Sequence, residues 1–161
     1  MSELLYKEEV FQLVGLRMET HRELGKGDDE VIYKDALVIE LTRAGIPFLR
    51  EKNYEITYKG VVLPHYYYAD FVIWDKILFE AKAVEKLTDS HIKQVLNYLA
   101  ASQIRVGSVS QFRRRYVGME TAHLIGTQGK QTRITRLSRR SGRLVGNSCK
   151  FVKFVSQSSE F

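Results

Sequence analysis

The stretch Tyr66-Tyr67-Tyr68-Ala69-Asp70-Phe71-Val72-Ile73-Trp74-Asp75-Lys76-Ile77-Leu78-Phe79-Glu80-Ala81-Lys82 decides the fold of this 161-residue chain. Aromatic and β-branched residues dominate it, which predicts two β-strands joined by a short turn at Trp74-Asp75-Lys76. Three charged residues, Asp70, Glu80 and Lys82, interrupt the apolar run. Side chains alternate faces along a strand, so Tyr66, Tyr68, Asp70 and Val72 share one face, and Leu78, Glu80 and Lys82 share one face of the next strand. A three-residue loop at 74–76 pairs Ile73 with Ile77 and Asp70 with Glu80. A two-residue loop at 75–76 pairs Glu80 with Phe71 and sends the carboxylates to opposite faces. The longer loop is preferred, because two acids and a lysine then converge.

Neighbouring carboxylates repel, and burial makes their ionisation costlier still. A hard divalent cation resolves both problems, and Mg²⁺ favours carboxylate, carbonyl and water oxygens. Asp70 and Glu80 are therefore candidate ligands, with the Ala81 carbonyl as a further one and Mn²⁺ as a substitute ion. Lys82 would stand beside the metal, where it could orient or deprotonate a water and steady an anionic transition state. The competing reading is an ordinary cross-strand ion pair on a wet face. The apolar neighbours on both sides weigh against it.

Outward from this centre the elements follow in order. Ser2 is a candidate cap for a first helix, with Val10, Phe11, Val14 and Met18 at helical spacing and Gly25 and Gly27 beyond its end. His21, in the last turn, reads as a residue that satisfies the helix dipole. Asp28 or Asp29 caps a second helix running to Gly45 and Pro47, with Glu30, Tyr33 and Leu37 on one face. On spacing alone, Glu30 reads as a first-turn acid favoured by the dipole. Phe48 to Tyr58 is a strand, Lys59-Gly60 a turn, and Pro64 breaks or bulges the strand that follows. Thr88, Asp89 or Ser90 caps a third helix, from Asp89 to about Ala101, with the stripe Ile92, Val95, Leu96 and Leu99. Gln94 and Tyr98 lie beside that stripe, and Ile104 to Val109 is a last short strand. The order α-α-β-β-β-α-β predicts an α/β (α+β) fold with a mixed central sheet flanked by helices.

Gly27-x-x-Glu30-x-x-Tyr33, Asp70, Glu80-x-Lys82 and Gln94-x-x-x-Tyr98 together resemble the small bacterial GxxExxY proteins, placed within the PD-(D/E)XK nuclease superfamily. The resemblance covers about residues 10 to 110 and implies a restriction-endonuclease-like core. It implies Asp70 and Glu80 as metal ligands and Lys82 as the catalytic lysine, with Glu30 and Gln94 completing the site. Tyr33 and Tyr98 match the pattern and read as core. Tyr68, two residues before Asp70, departs from it and could narrow the site.

Composition bounds the rest. The length suits one domain, residues 1–110, with a core of its own. No apolar run reaches the ~18 residues of a membrane helix and no secretory signal opens the chain, so it reads as cytoplasmic. The single Cys149 excludes an internal disulfide. There is no Gly-rich phosphate loop and no Cys cluster for zinc, and the four His show no ligand spacing.

The formal charge of +6 is unevenly placed. Residues 111–161 hold eleven Lys and Arg against two Asp and Glu, a net of +9, which leaves 14 basic and 17 acidic residues, a net of −3, before them. In 111–161 no sustained period appears, so this segment reads as a basic, weakly patterned tail, disordered in expectation. Three origins compete: a nucleic-acid-binding tail, a segment without a role, or a shifted reading frame. Codons can be chosen for Gln111 to Leu124 that, read from their second base, encode Asn-Phe-Gly-Gly-Asp-Thr-Leu-Glu-Trp-Lys-Arg-Leu-Ile and then stop. That is an alternating strand of the kind that ends the resembled family. Sequencing the gene across codons 105 to 126 tests the idea.

The function expected is metal-dependent hydrolysis of DNA phosphodiesters. The rivals are a non-catalytic adaptor of the same fold that binds nucleic acid or protein, and a non-functional product if the frame is shifted.

Overall fold

The computed structural model describes residues 5–112, 119–125, 133–139 and 150–154. The elements are α1 (Lys7–Leu24), α2 (Glu30–Arg43), β1 (Phe48–Tyr58), β2 (Val61–Ile73), β3 (Ile77–Lys82), α3 (Asp89–Ser102) and β4 (Val106–Gln111). These seven follow the expected order. Three more strands come after them: β5 (Met119–Ile125), β6 (Arg133–Arg139) and β7 (Lys150–Phe154). The sheet order is β1-β2-β3-β4-β5-β6-β7. Only β3 and β4 pair in parallel, with α3 as their crossover; every other pairing is antiparallel. The first four strands form the predicted mixed sheet flanked by helices.

The apolar patterning builds two layers. On one side Val10 and Leu13 of α1 and Tyr33 and Leu37 of α2 pack with Phe71, Ile73 and Phe79. On the other, Val95 and Leu99 of α3 pack with Leu78 and Val109. Gly107 lets α3 approach β4 closely: a Cβ there would lie 2.4 Å from Val95 Cγ1. Each large side chain fully buried in this way contributes roughly 1.5–3 kcal/mol.

Several local expectations shift. The buried stripe of α1 is Val10, Leu13, Arg17, Thr20 and His21, whereas Phe11 is 36% exposed. The buried face is rotated from the expected stripe, with Arg17 at a core position where burial lowers its guanidinium to about 10. Ser2 lies outside the described residues, and α1 starts instead after Tyr6, which is left-handed (φ 55°). Pro64 bulges β2 without ending it. Three residues, 63–65, stand between Val62 and Tyr66 where β1 has only Ile56, and the register shifts accordingly. The last predicted strand begins two residues later and ends two later, at Gln111. Beyond it, where no regular element was expected, β5 pairs with the edge of β4. A ladder needs only backbone groups, and an open edge supplies them whatever the side-chain period. Cys149 and Arg113 to Arg115 lie outside the described residues. No described helix is long and apolar enough to cross a membrane.

Candidate functional site

The turn between β2 and β3 has three residues. Trp74 and Asp75 are both left-handed (φ 53° and 57°), and the Lys76 N–H donates to the Ile73 carbonyl at 3.0 Å. Ile73 therefore faces Ile77, Val72 faces Leu78 and Phe71 faces Phe79, which sets Asp70 opposite Glu80 as the odd loop required. Paired positions stop at Phe71 and Phe79. From there the carboxylates replace ladder carbonyls as acceptors. The Asp70 N–H donates to Glu80 Oε1 at 2.9 Å, and the Ala81 N–H donates to Asp70 Oδ2 at 3.0 Å. Both acids are buried, Asp70 at 9% and Glu80 at 1% exposure. The Glu80 carboxyl is pushed up to about 7, first by burial and then by the Asp70 charge, against the opposing pull of the Asp70 N–H and Lys82.

Lys82 Nζ donates to Glu80 Oε2 at 3.2 Å, so lysine and acid, two residues apart, share a face of β3. The Lys82 carbonyl accepts from the Phe112 N–H at 2.9 Å and so points toward β4. In a strand, a residue's N–H and C=O point to the same side, and successive residues alternate. The Ala81 carbonyl therefore points toward β2, on the side where its N–H meets Asp70.

Helix α2 reaches the same place. Glu30, its first residue, accepts from the Ala83 N–H through Oε2 at 3.3 Å. Lys34, one turn on, sits 3.0 Å from Glu30 Oε1 and 2.6 Å from Asp70 Oδ1. Burial pulls the Lys34 ammonium down, but hydrogen bonds to Asp70 and Glu30 overcome this and hold it above its ordinary value. The cluster of Glu30, Lys34, Asp70, Glu80 and Lys82 carries three acids against two bases, with Lys34 between Glu30 and Asp70 and Lys82 on Glu80.

Helix α3 brings His91 and Tyr98 within the field of the site's charges. Gln94 Nε2 donates to the Tyr98 hydroxyl at 2.7 Å, so its amide is held against a phenol of the same helix. Tyr98 is in the core against Tyr67, ring centres 5.2 Å apart. Its phenol is raised by burial and, more weakly, by the negative charges of Glu80 and Asp70. Tyr33 is core as expected, wholly buried, with its hydroxyl donating to the Gly25 carbonyl at 2.8 Å. His91 accepts from the Thr88 N–H at Nδ1, 3.1 Å, and closes the start of α3. Burial lowers its imidazole, Lys82 lowers it further and Glu30 opposes, so His91 lies within the field of the cluster. Tyr68 is 57% exposed on the approach to Asp70.

Two participants escaped the sequence reading. Lys34 had a signal, since it lies four residues after Glu30 and so on the same helical face. His91 had one too, as the third residue after a Thr cap, where a side chain can reach back to the cap N–H.

The donor set suits a hard cation: two buried carboxylates, Asp70 and Glu80, on neighbouring strands. A carboxyl driven up to about 7 by burial beside another acid is the electrostatic mark of such a place. Among the described residues no three His, Cys, Asp or Glu side chains form a metal cage of their own. Waters or substrate oxygens would complete the shell, as Mg²⁺ sites commonly require.

A family model described as the PD-(D/E)XK nuclease superfamily matches residues 7–122. No curated protein and no solved structure matches the chain. Nucleases of that superfamily generally use divalent metals. The matched span holds α1 to α3 and both strands of the carboxylate pair, and the chain belongs to the PD-(D/E)XK nuclease superfamily.

Proposed function

We propose that the chain is a metal-dependent nuclease of the GxxExxY type that hydrolyses DNA phosphodiester bonds. The observation that carries the reading is the buried Asp70–Glu80 pair with Lys82 Nζ 3.2 Å from Glu80. Asp70, Glu80 and the Ala81 carbonyl would hold Mg²⁺ or Mn²⁺. Such an ion, when bound, neutralises phosphate charge and lowers the pKa of a bound water. The protein's own groups do the rest. Lys82, with its side chain 13% exposed, stands where it can position the attacking water and stabilise charge on the phosphate oxygens. Glu30 supports the water shell from α2. Gln94 acts at one remove, by fixing Tyr98 against the strands. The net charge of −3 before residue 111 leaves neutralisation of the substrate to the ion and the two lysines.

A non-catalytic adaptor of the same fold is the second reading. The observation that favours it is the Lys34–Asp70 ion pair at 2.6 Å, which supplies Asp70 with a counter-charge from the protein itself. Cleavage of plasmid and linear DNA, with Mg²⁺ or Mn²⁺ against EDTA, separates the two. The nuclease reading expects metal-dependent cleavage that falls by roughly a hundredfold or more in Lys82→Ala. A cooperatively melting chain that cuts neither DNA nor RNA would support the adaptor.

A further inference from the structure

Lys34 makes the shortest contact in the carboxylate cluster. Its Nζ lies 2.6 Å from Asp70 Oδ1 and 3.0 Å from Glu30 Oε1, and its side chain is 17% exposed. Lys82, by contrast, meets the Glu80 carboxylate as its one acid among the described residues. An ammonium between acids from α2 and β2 stands where a small cation drawing on Asp70 would be attracted. Both cannot hold the same carboxylate oxygen at contact distance, because like charges repel strongly in a part-buried site of low effective dielectric.

We propose that Lys34 is a resident counter-cation of the site: it bridges Asp70 to Glu30 while no divalent ion is bound, yields Asp70 when one binds, and so sets the affinity for that ion. The inference rests on the metal-dependent reading above. Two features make the exchange feasible. Glu30 sits one turn before Lys34 on the same helix, so the displaced ammonium keeps a partner and gives up one contact rather than two. The lysine stem is flexible and reaches the surface, so the ammonium can swing without disturbing the backbone. Asp70 meanwhile stays aimed, because its other oxygen holds the Ala81 N–H.

The test is calorimetric titration of Mn²⁺ into the full chain, as wild type, Lys34→Met and Lys34→Arg, with thermal melts in EDTA and in saturating Mg²⁺. Lys34→Met should bind Mn²⁺ roughly fivefold tighter or more, the factor that about one ion pair is worth. Lys34→Arg, which restores the charge, should bind like wild type. In EDTA, Lys34→Met should melt below wild type, and Mg²⁺ should close the gap. Equal or weaker binding by Lys34→Met, with wild type binding, overturns the inference and leaves the nuclease reading standing. If no chain binds Mn²⁺, both fall. Binding by Lys34→Met alone keeps the counter-cation and removes the nuclease reading of the native chain. Should Lys34→Met not fold, Lys34→Gln, which keeps a hydrogen-bonding end, carries the same comparison.

Discussion

The two halves of β2 are built from similar residues and meet different fates. From Val61 to Tyr68 the strand is exposed or half-buried on both faces; from Ala69 to Ile73 it is buried throughout. Tyr68 is 57% exposed, and Phe71, three residues later, is wholly buried. Composition does not explain the difference; cover does. The first half pairs only with β1, as a two-stranded ribbon, and such ribbons have little to bury against. The second half gains β3 as a second neighbour and lies under α1 and α2. Asp70 stands at the border, where its carboxyl is buried but still within reach of Lys34, a partly exposed side chain. On the proposed metal-dependent reading, that position leaves Asp70 desolvated enough to favour a cation and open enough to receive one.

Three changes would break or sharpen the contrast. Phe71→Ala should have the largest effect, a loss of about 3–5 kcal/mol in denaturant unfolding, because it empties the contacts with Phe48 and Phe79. A loss under about 1 kcal/mol would mean that the helices do not cover this half as described.

Next comes pH dependence at the border. The folded Glu80 carboxyl is raised from 4.5 to about 7, so below 4.5 it is protonated in folded and unfolded chains alike. Between those values only the folded chain keeps the proton, so the metal-free protein should lose stability as pH rises through this window, by on the order of 3 kcal/mol in all. Urea unfolding in EDTA across that range measures it. Glu80→Gln should flatten the slope, and an unchanged slope would assign it to another group.

Tyr68→Ser should have the smallest effect, within about 0.5 kcal/mol. A larger loss in the same unfolding assay would show the ribbon packed against something the contrast leaves out.

Much of this was legible in the chain. Tyr33 and Leu37 repeat at helical spacing and are buried on α2, and the three-residue turn after Ile73 placed Asp70 opposite Glu80. Those features depend on local periodicity and turn length. Other features depended on what packs on top. Arg17 had no place in the expected α1 stripe of Val10, Phe11, Val14 and Met18, yet it is buried. Gln94 was read as completing the site, and the packing of α3 gave its amide the Tyr98 hydroxyl as a partner. Gly107 carried no signal until α3 lay across it.

By itself, then, the sequence determined the order of the first seven elements, narrowed the register of β2 on β3 to two turn lengths and put two acids and a lysine on neighbouring strands, since alternation and turn length are short-range properties. Only the tertiary structure decided that α2 would bring Glu30 and Lys34 to Asp70, that the Ala81 N–H would be held by Asp70 and that Glu80 would be buried deeply enough to be raised. The reason is physical: burial and charge pairing are set by residues far apart in the chain, here 40 positions between Glu30 and Asp70, and a local pattern carries no record of which helix face will meet which strand.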